Sequence, residues 1–264
     1  MTNLTLNDGR TMPQLGLGTY QIPDAQVATI VRAGLGVGFR LVDTAAIYHN
    51  ERGVGEGMRN DDAFLTTKLW NDRHTDAAAA LDESLALLGR DAVDLYLIHW
   101  PVPAVDDYVD AWQSLIKLRD AGKARSIGVS NFMPEHLDRI IEATGVTPAV
   151  NQIELHPTFQ QRDCAAYNAD HGIVTQSWSP LGQGETLRDE RIVGIADRIG
   201  ATPAQVIIAW HLAKGYSVIP KTGNVDRLAS NFAAQEVTLS ADDVAAIDAM
   251  DEANGRMGPD PTNF

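Results

Sequence analysis

Short apolar, β-branched runs recur along the chain and alternate with longer stretches of helical period. The runs fall at residues 39–43, 64–68, 93–99, 126–130, 149–154, 174–177 and 216–220, with a fainter one at 231–233. They lack the polar alternation of a half-exposed strand, so each predicts a parallel strand buried on both faces. Between them, helices are predicted over 24–35, 51–59, 76–88, 106–121, 134–143, 161–171, 204–214 and 241–250. Thr202 before Pro203 supplies a cap and a first-turn proline, and Gly89, Gly122, Gly145, Gly172, Gly200 and Gly215 stand where helices should stop. Asn7-Asp8-Gly9, within 4–17, predicts an N-terminal β-hairpin. This repetition fits an α/β chain folded as a (β/α)8 barrel. A doubly wound open sheet uses the same alternation, and periodicity alone leaves it open. No Gly/Ser/Pro-rich linker divides the chain, so residues 1–264 read as a single domain.

Charge narrows the partners. Lys and Arg total 21 against 35 Asp and Glu, a formal net charge of −14. That balance argues against nucleic acid, and it requires a local cluster of positive groups wherever an anion binds. Cys164 is the single cysteine, which excludes an intramolecular disulfide and suits a reducing, cytoplasmic compartment. No apolar run approaches the roughly 20 residues that span a bilayer, and Met1-Thr2-Asn3-Leu4 lacks the features of a signal peptide.

The chemistry sits at the strand ends. Asp43, Lys68 and His99 each close an apolar run, Ser130 and Asn131 follow another, and Gln152 and Glu154 lie late in the next. Trp178 and Ser179 end the sixth run, and Lys221 and Thr222 the seventh. In a parallel barrel these ends converge on one face, where barrel enzymes keep their active sites. Singly, each residue has an ordinary explanation: Asp as a turn former, Lys as a solvated charge, His as a packed ring. Three at successive strand ends, with Tyr48 just beyond Asp43, are harder to assign to packing. A tyrosine titrates near pH 10, and a nearby ammonium is expected to lower that value. A carboxylate keeps the lysine charged, and a neutral histidine can orient a carbonyl oxygen. Together they make a general acid for carbonyl reduction without a metal.

The glycine runs differ in promise. Gly34-Leu35-Gly36-Val37-Gly38 precedes a strand, and Gly53-Val54-Gly55-Glu56-Gly57 lacks the spacing of a dinucleotide loop. Gly182-Gln183-Gly184 follows the sixth run, where its backbone could approach a pyrophosphate. Lys221 and Arg227 offer charge for a phosphate in the region where barrels commonly bind one.

Taken together, the motifs resemble the aldo-keto reductase family across nearly the whole chain. They are Gly38-Phe39-Arg40-Leu41-Val42-Asp43-Thr44-Ala45-Ala46-Ile47-Tyr48, Thr66-Thr67-Lys68-Leu69-Trp70 and Val93-Asp94-Leu95-Tyr96-Leu97-Ile98-His99-Trp100-Pro101. Ser126-Ile127-Gly128-Val129-Ser130-Asn131-Phe132, Asn151-Gln152-Ile153-Glu154-Leu155-His156-Pro157 and Ile219-Pro220-Lys221-Thr222-Gly223-Asn224 follow in order. Trp178-Ser179-Pro180-Leu181-Gly182-Gln183-Gly184 is most similar to bacterial 2,5-diketo-D-gluconate reductases within that family. The resemblance implies a (β/α)8 barrel, NADPH as cofactor, a small carbonyl substrate and a monomer. It implies Tyr48 as proton donor, Lys68 and Asp43 as its partners, and His99 as the group that orients the carbonyl. For the cofactor it implies Thr19, Ser130, Asn131 and Gln152 near the carboxamide end and Trp178 against the nicotinamide. Ser179, Leu181 and Gln183 would meet the pyrophosphate, Lys221, Thr222 and Arg227 the 2′-phosphate, and Asn231 the adenine. Tyr20, Trp70 and Trp100 would wall the substrate pocket. The segment 56–64 is shorter than the family leads one to expect, which predicts a trimmed helix or loop there, on the side facing away from the chemistry.

The expected reaction is NADPH-dependent reduction of an aldehyde or ketone, with 2,5-diketo-D-gluconate to 2-keto-L-gulonate as one candidate. The alternatives are a broad methylglyoxal or aldehyde reductase and a non-catalytic nucleotide-sensing barrel. A metal-dependent hydrolase using His99, Glu154 and His156 is a further alternative, against which stands the lack of a histidine cluster with metal-ligand spacing.

Overall fold

The computed structural model describes residues 2–264. β1 (Asn3–Thr5) and β2 (Thr11–Pro13) pair antiparallel, which is the expected hairpin. Eight further strands form one parallel sheet: β3 (Leu17–Gly18), β4 (Leu41–Asp43), β5 (Phe64–Leu69), β6 (Val93–Ile98), β7 (Ala124–Ser130), β8 (Val150–Glu154), β9 (Val174–Trp178) and β10 (Ser217–Val218). Each pairs with its neighbour in chain order. The two edges meet: Leu15 bridges Val218 and Gly18 bridges Lys221, both parallel. Gly16 N donates to Val218 O at 2.9 Å, and Val218 N donates to Gln14 O at 2.8 Å. The sheet is therefore closed, and the barrel displaces the open-sheet alternative.

Helices cover the outside: α1 (Asp24–Val37), α2 (Glu51–Gly57), α3 (Ala77–Leu88), α4 (Tyr108–Asp120), α5 (Pro134–Thr144), α6 (Arg162–Asp170), α7 (Glu190–Ile199), α8 (Pro203–Ala213), α9 (Asp226–Ala233) and α10 (Ala241–Asp248). None among the described residues is long and apolar enough to cross a membrane. Apolar side chains of α1 and α3 to α5 pack with those of the sheet in one continuous core. As expected, the second helix is short. The glycine run 53–57 lies in it, and a Cβ at Gly57 would sit 2.7 Å from Val31 Cβ, so these glycines admit close helix contact.

Two elements differ from expectation. Residues 231–233 belong to α9, not to a strand: Leu228 and Asn231, three apart, turn to the same buried side. The eighth barrel strand is instead β3, near the start of the chain. It is two residues long and borders Gly16, and it carries no β-branched run to announce it. Glycine is needed there, because a Cβ on Gly18 would lie 2.9 Å from Ile219 O. α7 ends on Gly200, the stop expected there, although no helical range is predicted ahead of it. Asp189 caps it by accepting from Arg191 N, and it buries Ile192, Ile195 and Ala196 along one stripe.

The barrel interior is sealed at one end by the hairpin. Leu6 and Met12 pack with Leu41, Leu95, Leu97, Ala149, Val150 and Ile219. Ser126 Oγ donates to Asp8 Oδ2 at 2.6 Å, and Asn7 Nδ2 donates to Pro148 O at 2.8 Å. These ties sit at the start of β7 and just before β8, so the hairpin covers the N-terminal end of the strands. The C-terminal ends carry the polar residues.

Candidate active site

β4 and β5 are adjacent and parallel, with Asp43 in register with Thr66. Lys68, two residues further along β5, points to the same side as Thr66. Lys68 Nζ donates to Asp43 Oδ1 at 2.7 Å and to Thr44 O at 2.8 Å. Both charged side chains are buried, at 0% and 2% exposure. A buried pair of this kind holds only where the remaining atoms are satisfied. Here Gln152 Nε2 donates to Asp43 Oδ2 at 2.8 Å, and the backbone carbonyl of Asp43 accepts from Thr19 N and Thr19 Oγ1.

Tyr48 comes from a single 3₁₀ turn, Ala46–Tyr48, closed by His49 in the left-handed region at φ 54°. Its ring centroid lies 5.1 Å from Lys68 Nζ, 5.8 Å from the His99 ring and 5.0 Å from the Tyr20 ring. Trp70 approaches His99 edge-on at 5.1 Å. Asp43, Tyr48, Lys68 and His99 thus share one pocket, as the strand-end pattern anticipates.

The acidity of Tyr48 departs from expectation. Loss of water pushes its hydroxyl well above the ordinary tyrosine range, with Asp43 and then Tyr20 adding to the rise. Burial and the Asp43 charge set the resting value, with the Lys68 ammonium hydrogen-bonded to Asp43 and Thr44 beside the ring. Tyr48 therefore rests as a neutral phenol. Burial also lowers Lys68, against the opposing pull of Asp43. Burial and then the Lys68 charge push His99 well below its usual range, so its ring is neutral near pH 7. His99 Nδ1 is buried with no partner among the described residues.

A second set of side chains continues around the rim. Ser130 Oγ donates to Gln152 O at 2.8 Å, and Asn131 Nδ2 donates to His99 O at 3.0 Å. Asn131 Oδ1 accepts from Trp178 Nε1 at 2.8 Å. Gln152 spends both amide hydrogens, on Asp43 and on Gln176 Oε1, while among the described residues its Oε1 accepts from no side chain or backbone group. Trp178 is half-buried, so part of its indole faces open space. Beyond it, Ser179 (φ 48°) and Gln183 (φ 52°) take left-handed backbone, as does Asn131 (φ 62°). Such conformations are uncommon off glycine and cluster where a ligand needs a particular backbone shape. Leu181 packs against the core beside them.

The last group is looser. Lys221 and Arg227 are exposed, and neither joins an ion pair among the described residues. Thr222 is buried and its Oγ1 accepts from Asn224 N, and Asn231 is buried on α9. Of the candidate substrate residues, Tyr20 is 55% exposed, Trp70 is half-buried, and Trp100 is buried against Phe264 at 4.5 Å between centroids.

Gln176 escaped the sequence reading. Its Oε1 fixes Gln152, and its Nε2 donates to Ser217 Oγ at 2.9 Å. The available signal was an amide two residues before Trp178, on the same face of β9. The hydrolase alternative loses its ligands to structure: Glu154 and His156 bond to each other, and no metal-binding group of three His, Cys, Asp or Glu occurs among the described residues.

Residues 12–252 match the model of the Aldo/keto reductase family. Methylglyoxal reductase DkgA of Escherichia coli (strain K12) is 48% identical over 270 residues, covering 100% of this chain and 98% of that protein. An aldo-keto reductase of Mycolicibacterium smegmatis is 50% identical over 268 residues, covering 99% and 97%. Among solved structures, a mutant of Gox0644 in complex with NADPH superposes with a TM-score of 0.98 at 50% identity, covering 100% and 98%. Bombyx mori aldo-keto reductase in complex with NADP gives 0.88 at 34% identity, covering 95% and 92%.

Proposed function

The chain belongs to the aldo/keto reductase family, and from that premise we propose that it reduces the carbonyl of a small aldehyde or ketone to an alcohol, with NADPH as reductant and Tyr48 as proton donor. The observation that carries the reading is the buried Asp43–Lys68 pair under Tyr48, with neutral His99 beside it. Bound NADPH supplies the hydride. Tyr48 holds its proton until negative charge develops on the substrate oxygen, and an alkoxide is a strong enough base to take a proton from even a weakly acidic phenol. As the proton leaves, the Lys68 ammonium offsets the charge left on Tyr48, and Asp43 keeps that ammonium in place. His99, being uncharged, orients the carbonyl oxygen through a ring N–H.

The residues fit the cofactor. Gln152 Oε1 has accepting capacity for an amide, alongside Ser130 and Asn131, with Thr19 behind Asp43. Trp178 offers an indole face, and Ser179, Leu181 and Gln183 form the turn beyond it. Lys221, Thr222 and Arg227 give the 2′-phosphate of NADPH a cationic partner in an otherwise acidic protein, and Asn231 serves the adenine. The NADPH and NADP complexes of the related structures support this assignment. The intact catalytic set speaks against a purely sensing barrel.

For the substrate, methylglyoxal fits better than 2,5-diketo-D-gluconate. Tyr20, Trp70 and Trp100 offer aromatic walls. The name of the Escherichia coli relative agrees. We place the enzyme in the cytoplasm as a monomer, which its single buried Cys164 suits. The test is NADPH oxidation over a carbonyl panel containing both compounds, with NADH in parallel. Turnover of methylglyoxal above 2,5-diketo-D-gluconate is expected. NADPH that binds but is oxidised by nothing in the panel would overturn the catalytic reading.

A further inference from the structure

Glu154 takes no part in the chemistry above, yet its carboxylate is fully engaged. It ends β8 at 1% exposure. Its Oε1 accepts from Met257 N at 2.8 Å and its Oε2 from Gly258 N at 3.0 Å, a long-range tie to the end of the chain. His156 Nε2 reinforces the clamp from 3.2 Å. Since a carboxylate only accepts, that nitrogen is the donor, and in the neutral ring Nδ1 accepts from Thr158 Oγ1 at 3.1 Å. Burial pushes Glu154 up, but His156 and the two backbone N–H groups outweigh it and hold the carboxyl below its ordinary range. The same loop grips the C-terminal segment elsewhere. Glu252 N donates to Thr158 O at 3.1 Å, and the Arg256 guanidinium lies 4.7 Å over the Phe159 ring.

The clamp has a target. Gly258 lies against the six-membered ring of Trp178, so close that a Cβ on it would stand 2.6 Å from Trp178 Cη2. The pyrrole nitrogen of the same indole donates to Asn131 Oδ1 at 2.8 Å. Trp178 is therefore fixed at its nitrogen by one side chain and at its benzo edge by a segment that Glu154 holds. If the segment moves, one of those two restraints is lost.

We infer that Glu154 is a positioning residue for the reductase: by holding Met257 and Gly258 it seats the C-terminal segment against Trp178 and so sets the indole face presented to the nicotinamide. This rests on the cofactor assignment proposed above. It concerns orientation alone, because Glu154 touches neither the reacting atoms nor, on this geometry, the cofactor.

The test uses the full chain and needs no turnover. Glu154→Gln keeps the shape but leaves one of the two N–H groups facing an amide NH₂. Amide hydrogen exchange at 257–258, measured without cofactor, should quicken by about tenfold, as expected for loss of a bond to a charged acceptor. The Kd for NADPH, read by fluorescence titration without carbonyl substrate, should rise by roughly fivefold. In a Trp178→Phe background the same substitution should change Kd by less than about twofold, because the indole through which it acts is gone. A merely structural role would carry the same penalty into both backgrounds. Gly258→Ala probes the contact from the other side and serves if Glu154→Gln does not fold. Its methyl group must displace the indole and raise Kd only where Trp178 is present. Unchanged Kd in both variants, or an equal penalty with and without Trp178, overturns the inference. Failure of the wild-type protein to bind NADPH overturns the cofactor assignment instead.

Discussion

The rim over β4 to β6 and the rim over β9, β10 and α9 are built in opposite ways. On the first, Asp43 and Lys68 are buried and hydrogen-bonded to each other, to Thr44 O and to Gln152, and His99 is packed by Trp70 and Tyr48. On the second, Lys221 and Arg227 are exposed and join no ion pair among the described residues, and Ser179 and Gln183 hold left-handed backbone. The charged pair of the first half is held by protein groups alone, while His99 Nδ1 is left without a partner among the described residues. The second is shaped so that a ligand completes it. The contrast suits a division of labour in which proton chemistry needs fixed geometry and low polarity, while a released and rebound cofactor needs access.

Substitutions on the two sides should therefore fail in different ways. The largest effect is expected from Tyr48→Phe, which removes the transferable proton. It should lower kcat by about 10³-fold, within the usual range for a general acid, and leave the NADPH Kd within about twofold. Steady-state kinetics with fluorescence titration separates the two, and near-normal kcat would break the contrast. Next comes Arg227→Ala. It should weaken NADPH by about tenfold, the cost of one charge-assisted bond, and leave NADH binding and kcat largely as they were. Equal loss for both cofactors would show that Arg227 does not read the 2′-phosphate.

The smallest effect at neutral pH concerns the support beneath the cofactor rim. His211 is fully buried on α8, its Nε2 donates to Pro180 O at 3.3 Å, and burial lowers it to about 3. When unfolded, it takes a proton as pH falls through its ordinary value near 6.5, which the folded state refuses until about pH 3. Stability is thus fully present above pH 6.5 and is lost as pH falls toward 3, by about 1.4 kcal/mol per pH unit from this group. His211→Gln should flatten the acid limb of a urea-unfolding series by that slope between pH 6 and 4. An unchanged limb would mean that His211 gains its proton while folded.

Much of the chemical half was legible because Asp43, Lys68 and His99 end apolar runs, where a polar residue in a parallel sheet has few reasons to be. What stayed hidden depends on distant partners. β3 is a strand only because β4 pairs with it on one side and residues 218–221 return to meet it on the other. Glu154 has a role in the sequence only under the hydrolase alternative, and its partners are instead the backbone N–H groups of Met257 and Gly258. Gln176 reads as ordinary strand polarity unless Gln152 is seen beside it. The acidity of Tyr48 was misjudged for a related reason. Spacing shows a lysine nearby, but only the structure shows how deeply the Tyr48 hydroxyl is buried and that Asp43 stands beside it.

The closing strand bears on how the protein is made. Leu15 and Gly18 find their partners roughly 200 residues later, so this contact is among the most expensive in loop-closure entropy that the chain makes. During synthesis, strands β4 to β9 can assemble in order behind the ribosome, but the cylinder stays open, with two unsatisfied edges, until residues 217–221 emerge. A stalled or truncated chain presents those edges to its neighbours, and unpaired edges template aggregation. β3 and β10 span only two residues each, so the seam that closes the barrel is also a short one.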